Sequence, residues 1–283
     1  SKGPTLFLEP KALYNDPSAE ALVPDDFEVP FGKARIRHEG TDLTLITYGN
    51  TTPMSVKVAE KIKPILNSNT LIISLLNGAE NASILCNIID KKHVLGGLCK
   101  IISKIEDYGI INHISYEPTI VFGELDNKNS KRAIALEQLF LNAGIKTILA
   151  EDIQKEIWSK FLFISTISAI GALTRATLGE MIAKPQIKKM MFQTAKEIEC
   201  IALAKGINFP KDTIAKQFQI IDSQPYNATS SLQRDILEGK PSELEAQNGA
   251  IVKMGIELGI PTPVNSFIYY CLFPQEKKAR KLN

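Results

Sequence analysis

Lys160 stands directly before the apolar run Phe161-Leu162-Phe163-Ile164. Burial disfavours the charged ammonium, so a lysine so placed releases a proton readily and suits general-acid work. The competing reading is a lysine whose stem lies on the surface with its head in water. Asn77 closes the apolar run Leu71-Ile72-Ile73-Ser74-Leu75-Leu76 and is followed by Gly78. The end of a buried strand is where an open α/β sheet forms its binding crevice, although an ordinary Asn-Gly turn reads the same way. Glu243 sits at the expected first turn of a helix, where a carboxylate is favourable for the dipole alone. Thr229, Ser230 and Ser231 are each able to cap the helix that follows them. One feature of dinucleotide enzymes does not occur: the sequence contains no Gly-x-Gly, the turn that lets a backbone approach a pyrophosphate.

The elements that must position these residues change in character along the chain. Pro10, Pro17, Pro24 and Pro30 keep the opening stretch from holding a long helix. Leu6–Leu8 and Asp42–Gly49 read as strands, and Pro53–Lys63 reads as a helix. Leu71–Leu76 is the near-continuous apolar run of a strand buried on both faces. A helix over 81–89 and strands over 94–102, 110–115 and 119–123 predict an α/β sheet. Composition shifts after Asp126: an amphipathic helix over 133–143 ends at Gly144, and a short strand over 146–149 follows. From Asp152 nearly everything reads helical, with breaks at Gly179, Pro185, Gly206, Pro210, Pro225, Gly239-Lys240-Pro241 and Gly259-Ile260-Pro261. Ser242 with Glu245 has the spacing of a capping box.

Composition bounds the partners. The 283 residues are 44% hydrophobic and 23% charged with net charge +2, the balance of a soluble globular protein. No strong field favours nucleic acid or a membrane surface, and the basic stretch Lys277–Lys281 reads as a solvated, frayed tail. Cys86, Cys99, Cys200 and Cys271 form no C-x-x-C pair, which argues against a zinc site or disulfide framework and fits a reducing cytoplasm. His38, His93 and His113 are dispersed and read as structural or exposed, so no metal is expected. No uninterrupted apolar stretch of membrane-span length and no opening signal peptide are read in the sequence.

From about residue 63 onward the chain resembles the ketopantoate reductases (2-dehydropantoate 2-reductases). The resemblance rests on Asn77-Gly78 with Asn81, Val94-Leu95-Gly96-Gly97 with a strand pair around Gly109, and Val121–Glu124. It continues through Ile157-Trp158-Ser159-Lys160-Phe161, 172–180, 229–235, 243–249 and Gly259-Ile260-Pro261-Thr262-Pro263-Val264-Asn265. It implies an incomplete Rossmann-like parallel sheet followed by an all-helical C-terminal domain similar to that of 6-phosphogluconate dehydrogenase. The implied reaction is reduction of 2-dehydropantoate to pantoate by NADPH in pantothenate biosynthesis, in a cytoplasmic enzyme that dimerises through its helical domain. Lys160 is then the general acid, Glu243 its acidic partner near the substrate hydroxyl, Ser231 a donor to the substrate carboxylate, and Asn77 a residue positioning substrate and cofactor. The better-studied members of the family carry Asn at the positions of Ile164 and Ser168, so the substrate preference stays open, with another 2-keto acid acted on by a divergent branch as the alternative to 2-dehydropantoate.

Residues 1–62 resemble a different family, the beta subunit of the thiamine-diphosphate-dependent 2-oxo-acid dehydrogenases. Phe7–Tyr14, Val29–Ala34 and Glu39–Gly49 carry that likeness, without the thiamine-binding residues. The chain thus reads as a chimera of residues 1–62, a remaining dinucleotide-binding part over 63–126 and a helical part over 127–283. Asp42–Tyr48 is apolar and β-prone enough to serve as a buried parallel strand, but nothing replaces the first β-Gly-loop-α unit. Weak or absent NADPH binding is the expectation that follows. Two other readings stay open: a non-catalytic helical module for dimerisation or small-molecule binding, and a fragment of a thiamine-dependent complex.

Overall fold

A computed structural model describes residues 62–107, 110–113 and 117–281. The strands expected at Leu6–Leu8 and Asp42–Gly49, and most of the helix expected at Pro53–Lys63, lie outside the described residues. The described chain forms two units. One comprises residues 62–76 and 84–151, the other residues 77–83 and 152–281.

The first unit is a sheet covered by a helix. Strand β1 (Ile72–Ile73) is buried, and helix α1 (Asn81–Cys86) follows it in the chain. Strand β2 (Val94–Lys100) pairs parallel to β1, with Ile72 beside Val94 and Ile73 beside Leu95. Strands β3 (Ser103–Asp107) and β4 (Ile110–His113) form a separate antiparallel pair, the one expected around Gly109. Strand β5 (Thr119–Gly123) returns antiparallel to β2, and β6 (Thr147–Leu149) pairs parallel to β5. The order β1-β2-β5-β6 is therefore mixed, with two parallel pairings and one antiparallel among the described strands.

Helix α2 (Lys131–Asn142) starts where the Ser130 hydroxyl accepts from the Ala133 N–H at 3.1 Å. It buries Ala133, Leu136 and Phe140 against Ile73, Ile120 and Phe122 of the sheet. Phe122 and Phe140 meet edge to face at 5.7 Å. Ser130 and Arg132 also converge on Glu124, with the guanidinium bidentate at 2.6 Å to each carboxylate oxygen. Burial is the largest single influence on Glu124 and pushes its carboxyl up. The hydrogen bonds from Arg132 and Ser130 together outweigh it and hold the group below the usual range. Because β6 pairs with β5 and α2 packs on the sheet, this unit extends to Glu151. The change of architecture expected near residue 126 is corrected to 151/152.

The second unit is helical and built around α3 (Ile153–Thr174), capped by Asp152, which accepts from the Lys155 N–H at 3.0 Å. By length and composition α3 is apolar enough to cross a membrane, yet 61% of that window is buried inside the unit. The short helix α4 (Leu178–Ile182) restarts the chain through a Thr177–Glu180 capping box. Gly179, expected as a break, lies inside α4; a Cβ there would stand 2.1 Å from the Tyr226 ring. Helices α5 (Pro185–Ala204), α6 (Thr213–Asp222) and α7 (Ser231–Leu237) follow, and α5 and α7 pack on α3. Gly171 of α3 permits the close approach of α7, since a Cβ there would lie 2.5 Å from Gln233 Oε1.

A wide π-turn at Glu245–Gly249 runs into α8 (Ala250–Leu258), which ends at Gly259 in the left-handed region at φ 67°. Helix α9 (Pro263–Ala279) packs against α3, α5 and the π-turn. Its first N–H groups are satisfied from α5: Glu197 accepts from the backbone of Val264 and Asn265 at 2.9 Å each. The Ser242–Glu245 capping box does not form. The Ser242 hydroxyl accepts from the Leu244 N–H and donates to Glu276, while Glu245 accepts from Tyr269. The basic stretch near residue 280 is likewise not a frayed tail as far as Arg280. Helix α9 continues to Ala279, and Arg280 bonds Glu276 and the Ser242 carbonyl.

Candidate functional site

Residues 77–83 leave the sheet and belong to the helical unit. The turn is self-supported: Asn81 Nδ2 donates to the carbonyls of Asn77 at 3.1 Å and Gly78 at 3.3 Å. Gly78 adopts φ 121°, a conformation that favours glycine, and a Cβ added there would lie 3.4 Å from Asn81 Nδ2 and 3.5 Å from the Ala246 carbonyl. Ala79 packs on the cluster containing Trp158, Phe161 and Ile251, and Glu80 pairs with Lys253 at 3.6 Å. The result fixes the direction of the Asn77 side chain. Its Nδ2 donates to Glu243 Oε2 at 3.0 Å.

Glu243 precedes the π-turn and is half-buried. Gln247, fully buried on that turn, donates its Nε2 to the same Glu243 oxygen at 3.0 Å. A carboxylate only accepts, so this bond fixes the Gln247 amide orientation. Gln247 Oε1 points the other way and has no hydrogen-bond partner. Two neutral amides thus steer one carboxylate without neutralising its charge. Single-turn π-segments recur at functional sites because they shift side chains out of α-helical register.

Lys160 is half-buried on α3, beside Phe161 and Leu162, which are fully buried, and α3 packs against the π-turn. One and two turns further along the same face stand Ile164, half-buried, and Ser168, whose fully buried hydroxyl has no hydrogen-bond partner. Ser231 is the first residue of α7 and is exposed. Of the three cap contenders it is Ser230 that caps, accepting from the Gln233 N–H at 3.1 Å, so the Ser231 hydroxyl is not committed to the helix end. Asn77 and Glu243 are therefore brought into contact. Among the described residues no hydrogen bond links Ser231 to that pair.

The sequence reading missed Gln247, although its i+4 spacing from Glu243 is the signal that places two helical side chains on one face. It also missed Glu276, Arg280 and Tyr269, which hold the chain on either side of Glu243. His93 is buried with Nδ1 2.8 Å from the Thr70 carbonyl, a structural histidine. No group of three metal-binding side chains occurs among the described residues, and none of Cys86, Cys99, Cys200 and Cys271 is in a disulfide.

The family model described as Ketopantoate reductase PanE/ApbA matches residues 24–127, and its C-terminal counterpart matches residues 152–276. A 2-dehydropantoate 2-reductase of Archaeoglobus fulgidus is 31% identical over 80% of this chain and 74% of its own length. The chain belongs to the ketopantoate reductase family. An uncharacterized oxidoreductase of Bacillus subtilis is 30% identical over 75% of this chain and 70% of its own length. The crystal structure of a PanE/ApbA family ketopantoate reductase from Ralstonia eutropha superposes with TM-score 0.75 at 25% identity, covering 86% of this chain and 78% of that one. The fold class read from the sequence, a Rossmann-like sheet followed by a helical domain, is thus the fold of the ketopantoate reductases. The first family match begins at residue 24, so residues 24–62, expected from the sequence to belong to a different family, fall within the ketopantoate reductase match.

Proposed function

We propose that the site reduces a 2-keto acid with NADPH, with 2-dehydropantoate as the substrate and pantoate as the product. The observation that carries this reading is the Asn77–Glu243 hydrogen bond, which joins the turn after β1 to the acid of the helical unit. The cofactor supplies hydride to the keto carbon. The site residues fit its nicotinamide end: Nδ2 of Asn77 is committed to Glu243, which leaves Oδ1 as an acceptor for a cofactor donor.

Lys160 Nζ protonates the oxygen that gains charge as the carbonyl is reduced. Glu243, held by Asn77 and Gln247, accepts from the substrate hydroxyl and stabilises the lysine in its charged form between turnovers. Ser231 donates to the substrate carboxylate. Ile164 and Ser168 line the face beyond the lysine and set which 2-keto acid is preferred. The enzyme acts in the cytoplasm, in keeping with cysteines that form no disulfide, as a homodimer through its helical unit.

The same reading includes the chimeric front. Residues 1–62 contain no Gly-x-Gly and nothing that resembles the family's first β-Gly-loop-α unit, so they grip the cofactor phosphates weakly. Titration of the purified chain with NADPH, followed by cofactor fluorescence, tests this. Weak binding is expected, with 2-dehydropantoate turnover at high NADPH that Lys160→Ala lowers by roughly 10²-fold or more. Tight binding refutes the weak grip. Absence of turnover at every NADPH concentration refutes the enzyme reading and leaves a non-catalytic helical module.

A further inference from the structure

Ser242 stands one residue before Glu243, and α9 with Arg280 at its C-terminal cap holds each of its polar groups. Its backbone N–H donates to both carboxylate oxygens of Glu276 at 3.1 Å, and its hydroxyl donates to Glu276 Oε2 at 2.6 Å. Its carbonyl accepts from the Arg280 guanidinium at 2.6 Å. Arg280 Nε closes the ring on Glu276 Oε1, also at 2.6 Å. On the other side of Glu243, Glu245 Oε1 accepts from the Tyr269 hydroxyl at 2.7 Å. One helix therefore ties down the backbone both before and after the acid.

The Glu276 side chain is fully buried and that of Arg280 is 20% exposed. Burying two charges costs desolvation that their attraction repays only with full hydrogen bonding, and an apolar pair of similar volume is often at least as stable. Stability is thus a poor account of this ion pair. Its geometry gives a better one: a carboxylate and a guanidinium, linked one helical turn apart, recognise the N–H, O–H and C=O of a single residue.

We infer that Glu276 and Arg280 are positioning residues that fix the Ser242 backbone so that the Glu243 carboxylate meets Asn77. They touch neither substrate nor cofactor in this account and act through Glu243. The inference rests on the reading of Glu243 as the acidic partner of the proposed reaction. Lysine at position 280 keeps the charge but not the planar fork that spans Glu276 and the Ser242 carbonyl.

The test uses the full chain carrying Arg280→Lys, with Ser242→Ala as a second, milder variant, each checked for folding by circular dichroism. Hydrogen exchange read by mass spectrometry should accelerate about tenfold in peptides covering 242–249 and 77–83, and not in peptides covering 161–174. Acceleration across the whole helical unit, or in neither segment, overturns the inference. This readout does not need turnover, so an inactive parent chain defeats the reductase reading and leaves the exchange result to decide the clamp. Where the parent turns over, kcat should fall with little change in KM for the keto acid. Full kcat in both variants overturns the positioning role.

Discussion

Asn77 and Glu243 lie 166 positions apart in sequence and share a hydrogen bond of 3.0 Å between the amide Nδ2 and the carboxylate Oε2. A neutral donor orients the carboxylate and leaves its charge available for a cation or a hydroxyl. Asn77→Ala and Glu243→Ala should each lower 2-keto acid turnover by about tenfold or more, since a hydrogen bond to a charged group is worth roughly 1.5–3 kcal/mol. Combined in one chain, the two losses should not add, because each removes the same interaction. Additive losses in kcat/KM would mean the bond has no part in the reaction.

Gln247 offers a test that separates stability from activity. Its Nε2 serves Glu243 while its Oε1 is buried without a donor. An unsatisfied buried carbonyl costs about 1–3 kcal/mol, whereas replacing it with an apolar group of similar shape is near neutral or favourable. Gln247→Leu removes that orphan together with the bond to Glu243, two effects that offset, so it is expected to melt near the parent temperature while turning over more slowly. A clear drop in melting temperature would make Gln247 a structural residue.

The legible part of this molecule is the part governed by short-range rules. Thr119–Gly123 was readable as a strand because it is β-branched and apolar, and the stop at Gly144 was readable as a left-handed glycine. Asn77, Lys160, Ser231 and Glu243 stand out in the sequence by residue type and resemblance, but their spacing does not reveal that Asn77 bonds to Glu243. Ser242 and Glu245 misled because a local capping box competes with partners on α9 that are distant in sequence. Tyr269 and Glu276 win that competition through burial, which no window of neighbouring residues records. The boundary at Glu151 was missed for the same reason: β6 joins the sheet by pairing with β5, not by anything in its own three residues.

The approach of α7 to α3 depends on Gly171. An added Cβ would stand 2.5 Å from Oε1 of Gln233, a buried side chain that also donates to the Ala176 carbonyl at 2.9 Å. Overpacking of this kind costs about 1–3 kcal/mol. Gly171→Ala should lower the denaturation midpoint by that amount despite alanine's better helix propensity. A stabilised Gly171→Ala chain would show that Gln233 moves aside freely.

Acid should loosen the first unit through Glu124. Arg132 and Ser130 hold its folded carboxyl below the ordinary range against the upward push of burial. A lowered folded value contributes stability above the unfolded value of about 4.3, which is lost as pH falls through the folded value. Glu124→Gln should be less stable than the parent at neutral pH and show a shallower loss below about pH 4. Parallel acid limbs in thermal melts of the two chains would exclude Glu124 as a source of the pH dependence.

Alkali should act on the helical unit through Tyr269. Burial is the main influence raising its phenol above the ordinary range, and the hydrogen bond it donates to Glu245 adds to it. Ionisation would place two negative charges in contact and remove the donor that ties the π-turn to α9. A raised folded value contributes stability that is complete below the unfolded value, about pH 10, and is lost as pH rises from there through the folded value. Stability should therefore be level in this respect from neutral pH to about 10 and fall above it. Tyr269→Phe removes the titrating group, so its alkaline limb should be shallower than the parent's while its stability at pH 7 is lower by about 1 kcal/mol for the lost hydrogen bond. Melting temperatures of both chains between pH 7 and about pH 11 decide the matter. Identical alkaline limbs would show that Tyr269 does not ionise as the fold is lost and that another group controls the transition.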